Sequence, residues 1–98
     1  MRYTLRQLEV FLAVARHQSI SRAGEELAMS QSAVSGALSD LEKQFDILLF
    51  DRIGKRLQLN ETGRSLLPAV EELLVRAREL ERALGRHDTA GSLAVGAT

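Results

Sequence analysis

Apolar residues recur at helical spacing over four stretches of the chain, with a short alternating segment between the third and the fourth. Leu5, Leu8, Phe11, Leu12 and Ala15 predict one buried stripe on a first helix. Thr4 precedes them with Gln7 three positions on, the spacing of a capping box in which each side chain satisfies a backbone N–H of the other. His17-Gln18-Ser19 interrupts the pattern. Ile20, Ala23, Gly24 and Leu27 then predict a short second helix, N-capped by Ser19 or Ser21, whose small inner residues let another helix backbone come close. Only "AMS" separates it from the next helix, so the two must cross at a steep angle.

The third helix starts at a Ser30 cap and is predicted to bury Val34, Leu38, Leu41 and Phe45. At 100° per residue its opposite side carries Ser32, Gly36, Ser39 and Lys43, with Gln31 and Ser35 on the flanks. Two extended runs follow, near 49–52 and 56–59, around a turn containing Gly54. They read as a β-hairpin anchored by Phe50, Leu57 and Leu59. A long helix begins after an Asn60 cap, with Pro68 predicted to kink it and Gly85 to end it. Along it Leu66, Val70, Leu73, Ala77, Leu80 and Leu84 keep a heptad spacing, widened by Leu67 and Leu74, which is the pattern of a helix that pairs with another helix.

These elements give a mainly α fold: a winged helix-turn-helix, with a three-helix core and hairpin wing over residues 1–60, then a dimerising linker helix over 61–86. Residues 87–98 are expected to hold a hinge ("RHDTAGS") and the first strand of a further domain, so the chain reads as the head of a larger protein.

Composition narrows the functions available. The chain has 98 residues, 45% of them hydrophobic and 27% charged, enough for one packed domain plus an appendage. It has no cysteine, and His17 and His87 lie far apart without ligand-spaced neighbours, so no metal and no cofactor is expected. Each histidine reads as a solvated residue near a helix end. Ser, His and Asp fall on separate elements, and no nucleophile–base pair or phosphate loop stands out, which argues against an enzyme. No apolar run nears the ~20 residues that cross a bilayer, so no membrane partner and a cytoplasmic, nucleoid-associated location are expected. The formal net charge of zero speaks against nucleic acid until placement is considered. "DRIGKR" gathers Arg52, Lys55 and Arg56 in the hairpin turn with Asp51 the one acid nearby.

The outer face of the third helix is the informative feature. Ser and Gly are poor choices for an exposed helix, where Glu, Lys and Arg normally sit. A helix entering a DNA major groove about 12 Å wide needs short side chains and a few polar groups at base edges. Gln31, Ser32, Ser35 and Gly36 are therefore candidates for base contact, Gln31 by bidentate pairing with adenine and Gly36 by close approach. Ser19, Ser21, Ser30, Ser39, Arg52, Lys55 and Arg56 are candidates for the DNA backbone. A winged-helix module that binds protein instead of DNA is the competing reading, since small residues also suit helix–helix packing.

Four pieces of the chain, "SQSAVS", "LE" at 41–42, "LLFDR" at 48–52 and "LNETG" at 59–63, stand in the order and spacing of one family. The chain resembles the N-terminal domain of LysR-type transcriptional regulators. That resemblance implies a sequence-specific activator or repressor that binds double-stranded operator DNA, expected to be an inverted repeat. It implies a homodimer through antiparallel linker helices, using Leu66, Val70, Leu73, Leu74, Ala77, Leu80 and Leu84, and a tetramer in the full-length protein. It further implies a small-molecule inducer, sensed by an effector domain starting near Ser92. Four positions depart from the family's pattern. Gly24 replaces an alanine at an expected cost in helix stability, Asp46 replaces a glycine where φ > 0 is expected, and Asn60 replaces a threonine cap. Gly36 stands where many members carry a basic residue.

Overall fold

A computed structural model describes residues 2–90, with side chains through residue 86. These residues form α1 (Leu5–His17), α2 (Ile20–Leu27), α3 (Gln31–Phe45), β1 (Phe50–Ile53), β2 (Arg56–Leu59) and α4 (Glu61–Ala90). The winged helix-turn-helix plan holds. The expected strand at the C-terminus lies outside the described residues.

Local chemistry sets each helix boundary. Thr4 and Gln7 form the expected capping box, with N–H to oxygen distances of 3.1 and 3.0 Å. Ser19, not Ser21, caps α2, and Ser30 caps α3 by accepting the Ala33 N–H at 3.1 Å. Each helix of the head ends on a residue in the left-handed region: Gln18, Ala28 and Asp46, with φ of 56°, 56° and 53°. Asp46 thus takes the conformation expected of it.

α1 is the central helix. It packs against α2, α3, α4 and β2, so it buries more than one stripe. Val10, Ala13 and Val14 are fully enclosed beside Leu8 and Phe11, whereas Leu5 is exposed and Leu12 and Ala15 are half-buried. A helix surrounded on several sides hides positions that single-face periodicity assigns to solvent. The Phe11 ring tilts against Phe50 at 5.7 Å, which joins the hairpin to this core. Phe45 also departs from expectation. As the last residue of α3 it sits at the surface, 43% exposed, against Tyr3 and beneath the Arg2 guanidinium.

Two glycines are required by close backbone approaches. A Cβ on Gly24 would lie 2.6 Å from the Met29 carbonyl oxygen, so the short turn from α2 to α3 leaves no room for alanine. Gly24 is therefore a fitted residue rather than a loss of helix propensity. A Cβ on Gly63 would lie 2.3 Å from the Leu49 carbonyl oxygen and 2.7 Å from the Leu59 side chain. The first turn of α4 can seat on the base of the hairpin because that side chain is missing.

α4 runs through Pro68 and past Gly85 to Ala90. One helix-interior glycine costs about 1 kcal/mol relative to alanine, too little to stop a long helix. The boundary expected at residue 86 therefore falls inside a helix. The described residues extend 53 Å along their longest axis and 24 and 19 Å across, a small head on a projecting stalk. The heptad seam divides along that stalk. Leu74 is buried, and Leu67 and Val70 pack half-buried on the head, while Leu80 and Leu84 are 60% and 59% exposed. Leu74 is thus already used within its own chain.

Gly63→Ala is expected to destabilise the fold by about 1–3 kcal/mol, the usual cost of overpacking a site that cannot give. Urea denaturation followed by circular dichroism measures it; an unchanged midpoint would refute the seating of α4 on Leu49.

Candidate nucleic-acid interface

The first two turns of α3 present Gln31, Ser32, Ser35 and Gly36 to solvent, while Val34 and Leu38 hold the opposite side in the core. The side chains of Gln31, Ser32 and Ser35 make no hydrogen bond among the described residues. An added Cβ at Gly36 would meet nothing within 4 Å, so the fold itself gives no reason for a glycine there. Ser39, two turns along, is half-buried and stands apart from the other four.

Ser19 and Ser30 spend a lone pair on their caps, accepting the N–H groups of Arg22 and Ala33, and keep a hydroxyl proton to donate outward. Ser21 lies exposed on the first turn of α2 beside Arg22. The last turn of α2 is fastened to α1 by Glu26. Its carboxylate accepts from the Arg16 guanidinium on one oxygen and pairs with His17 Nε2 at 2.7 Å on the other. His17 is therefore a bridging residue rather than a freely solvated one. The hydrogen bond from Arg16, then that with His17, holds the Glu26 carboxyl below its ordinary range.

The hairpin closes through a two-residue turn, Gly54-Lys55, with Ile53 opposite Arg56. Gly54 has φ of +63° at the first turn position, where a type II′ turn requires positive φ. β1 starts one residue later than the sequence predicts, because the Leu49 amide is engaged elsewhere. Glu42 Oε2, from the C-terminal half of α3, accepts its N–H at 2.8 Å. Asn60 donates its backbone N–H to the Leu49 carbonyl at 3.0 Å and its Nδ2 to the Leu48 carbonyl at 2.8 Å. On the other strand, Leu57 N–H donates to the Gln18 carbonyl at the end of α1, and Arg64 Nη1 donates to the Leu59 carbonyl. The hairpin is thus held at its base from α1, α3 and α4, and extends freely at its tip.

The tip carries Arg52, Lys55 and Arg56, all exposed and none in an ion pair among the described residues. The sequence groups these cations, and the pleat separates them. Arg52 stands opposite Leu57 on the face shared with Phe50, whereas Arg56 pairs with Ile53 on the reverse face. Glu42 is the residue that sequence reasoning missed. A carboxylate in the last turns of a helix, just before a chain reversal, was the available signal.

This geometry defines the class: a winged helix-turn-helix domain with a stalk helix. The model of the bacterial regulatory helix-turn-helix proteins of the lysR family matches residues 5–64, and the chain belongs to that family. The uncharacterized HTH-type transcriptional regulator YeiE of Escherichia coli K12 is 55% identical over 82 residues, covering 84% of this chain and 28% of that protein. The RuBisCO operon transcriptional regulator of Allochromatium vinosum is 45% identical over 84 residues, 86% of this chain and 28% of the relative. The chain therefore spans a little over a quarter of these relatives. Among solved structures, oxidized Corynebacterium glutamicum OxyR superposes with a TM-score of 0.82 at 28% identity, over 86% of this chain and 27% of that one. A CbnR DBD-DNA complex gives 0.73 at 25% identity, over 85% and 97%. No helix among the described residues is long and apolar enough to cross a membrane.

Replacing Glu26 by Gln tests the clasp. A carboxylate whose folded pKa is depressed adds stability above its unfolded pKa and loses it as pH falls through the folded value. The difference in Tm between wild type and Glu26→Gln should be present at neutral pH and close in acid, below the ordinary carboxylate range. Both partners are solvent-screened, which keeps the difference within ~1 kcal/mol. A gap that persists unchanged into acid would refute the pairing.

Proposed function

We propose that this chain is the DNA-binding head and dimerisation stalk of a transcriptional regulator that reads operator DNA as a homodimer. The observation that carries the reading is the outward face of α3. Four neighbouring positions hold Gln31, Ser32, Ser35 and Gly36, with no use for them inside the fold. On a DNA major groove they have one: Gln31 reaches base edges, the serine hydroxyls serve either bases or phosphates, and Gly36 admits the closest approach. Ser19, Ser21 and Ser30 at the helix N-termini meet phosphates, where backbone N–H groups and the helix dipole favour negative charge. The half-buried Ser39 is assigned a flanking backbone contact. Lys55 at the wing tip supplies salt-dependent anchoring, with Arg52 or Arg56 joining it according to which face of the ribbon turns to the duplex.

The dimer rests on the stalk. An apolar groove of about 370 Å³ lies beside α4, lined by Tyr3, Phe45, Ile47, Leu66, Ala69 and Leu73 among others. Leu80 and Leu84 of an antiparallel second copy fit this groove, with Ala77 near the crossing. Val70 contributes its exposed edge, and Leu74 is removed from the contact set because its own head covers it. The full-length protein, cytoplasmic and nucleoid-associated, is assigned a tetrameric state and a small-molecule inducer bound by a domain beyond this chain.

Selection of bound sequences from a random duplex pool tests the whole reading. Enrichment of an inverted repeat, with affinity falling steeply as salt rises, is expected; no enrichment and salt-indifferent binding would favour a protein-interaction module instead. Two variants sharpen it. Gly36→Ala should raise stability by about 0.5–1 kcal/mol, because an exposed helix glycine costs that much, and weaken binding to the selected duplex. A stabilised variant with unchanged affinity would remove Gly36 from the contact. Leu80→Asp with Leu84→Asp changes only exposed positions and should convert a sedimenting dimer to monomer. A monomeric wild-type chain would end the stalk argument.

A further inference from the structure

We infer that Glu42 is a positioning residue that fixes the wing, and with it the linker helix, relative to the recognition helix α3. This rests on the DNA-binding reading and deepens it. The Leu49 peptide is where three elements meet. Its N–H is held by the Glu42 carboxylate of α3 at 2.8 Å. Its carbonyl oxygen accepts the Asn60 N–H that opens α4, and the bare Cα of Gly63 lies against the same oxygen. Leu49 itself is 2% exposed, and its amide lies outside the strand ladder, so without Glu42 that N–H is left buried without an acceptor.

Glu42 holds both ends of the reversal that follows α3. Its backbone carbonyl accepts the Ile47 N–H at 3.0 Å, and its side chain accepts at Leu49 two residues further on. The segment 46–49 is wrapped round this one residue before the chain enters β1. The far strand is held at Leu57 by the Gln18 carbonyl and at Leu59 by Arg64 of α4, and the Leu49 amide is where α3 itself takes hold of the near strand's root by hydrogen bond. Glu42 sits on the same helix as Gln31 and Ser35, about two to three turns away. One rigid helix therefore carries the base-reading side chains at its start and the wing's mooring near its end. Wing cations reach phosphate in register with α3 only while that mooring holds.

The test uses the full chain and the duplex recovered from the random pool with the unmodified protein. Glu42→Ala should weaken binding about tenfold and flatten the slope of log affinity against log salt by about one for each wing cation displaced. Glu42→Gln keeps an oxygen acceptor for Leu49 and should restore both, which a role through charge alone would not allow. In a background with Arg52, Lys55 and Arg56 changed to Gln, Glu42→Ala should add little further loss. A wild-type slope for Glu42→Ala, or full additivity with the wing changes, overturns the proposal. If the alanine variant fails to fold, Glu42→Asp carries the same test, since its carboxylate falls one methylene short of Leu49. Amide exchange in the free protein gives a reading independent of DNA: faster exchange at Leu49 and Leu57 with α1 unchanged is expected, and unchanged exchange at both refutes the mooring. Loss of all salt-dependent binding in the wild type, with that exchange pattern intact, would fail the DNA reading and leave the mooring standing.

Discussion

The approach of the first turn of α4 to the Leu48-Leu49 peptides organises the molecule. Two carbonyls are presented to Asn60, and Gly63 lies so near one of them that any side chain at that position would collide. Asn60 pairs both carbonyls, and Glu42 of α3 pairs the Leu49 N–H, so the polar groups at this junction are satisfied from two sides. The consequence is mechanical. A head this small has a limited core, and a 30-residue helix leaving it would be a free lever if only apolar contacts held its root. Directional hydrogen bonds at the root, backed by Leu67, Val70 and Leu74 against the head, convert the lever into a fixed stalk.

Much of this was legible in the sequence because the signals were local. Thr4 with Gln7, Ser30, Asn60 and the Gly54 turn act within three or four residues of themselves, and each does what its chemistry predicts. The failures share a cause. Val10, Ala13 and Val14 look solvent-facing on a single-stripe wheel, and only the packing of α2, α3, α4 and β2 around α1 buries them. Phe45 reads as core by spacing, but the helix ends there and the core does not extend beneath it. Gly24 and Gly63 owe their identity to carbonyls that folding brings against them, which no local pattern displays. Of the candidate interface, the exposure of Gln31, Ser32, Ser35 and Gly36 on α3 was readable. The division of the wing cations between two faces was not, because it depends on strand register.

A formally neutral chain is a poor candidate for nucleic acid if charge acts as a total. The structure shows why the total misleads. Glu9 is spent on Arg6, Glu26 on Arg16 and His17, and Glu72 on Arg76, pairs that screen one another locally. Glu42 spends its carboxylate on a backbone amide. The cations at the wing tip have no such partner among the described residues. Potential at a surface falls off within about 8–10 Å at physiological salt, so at the wing the three cations outweigh the one nearby acid, Asp51, and the other acids contribute little there.

The same locality bears on the bare face of α3. A basic side chain near Gly36 would add affinity for any phosphate within reach, whatever the sequence. Short hydroxyls and one amide add little attraction at a distance and discriminate only in contact. In the proposed function, general attraction therefore falls to the wing and the contacts that depend on sequence fall to α3. That division works only if wing and helix stay in register. The half-buried hydrogen bond from Leu49 to Glu42 at the wing's root joins the two.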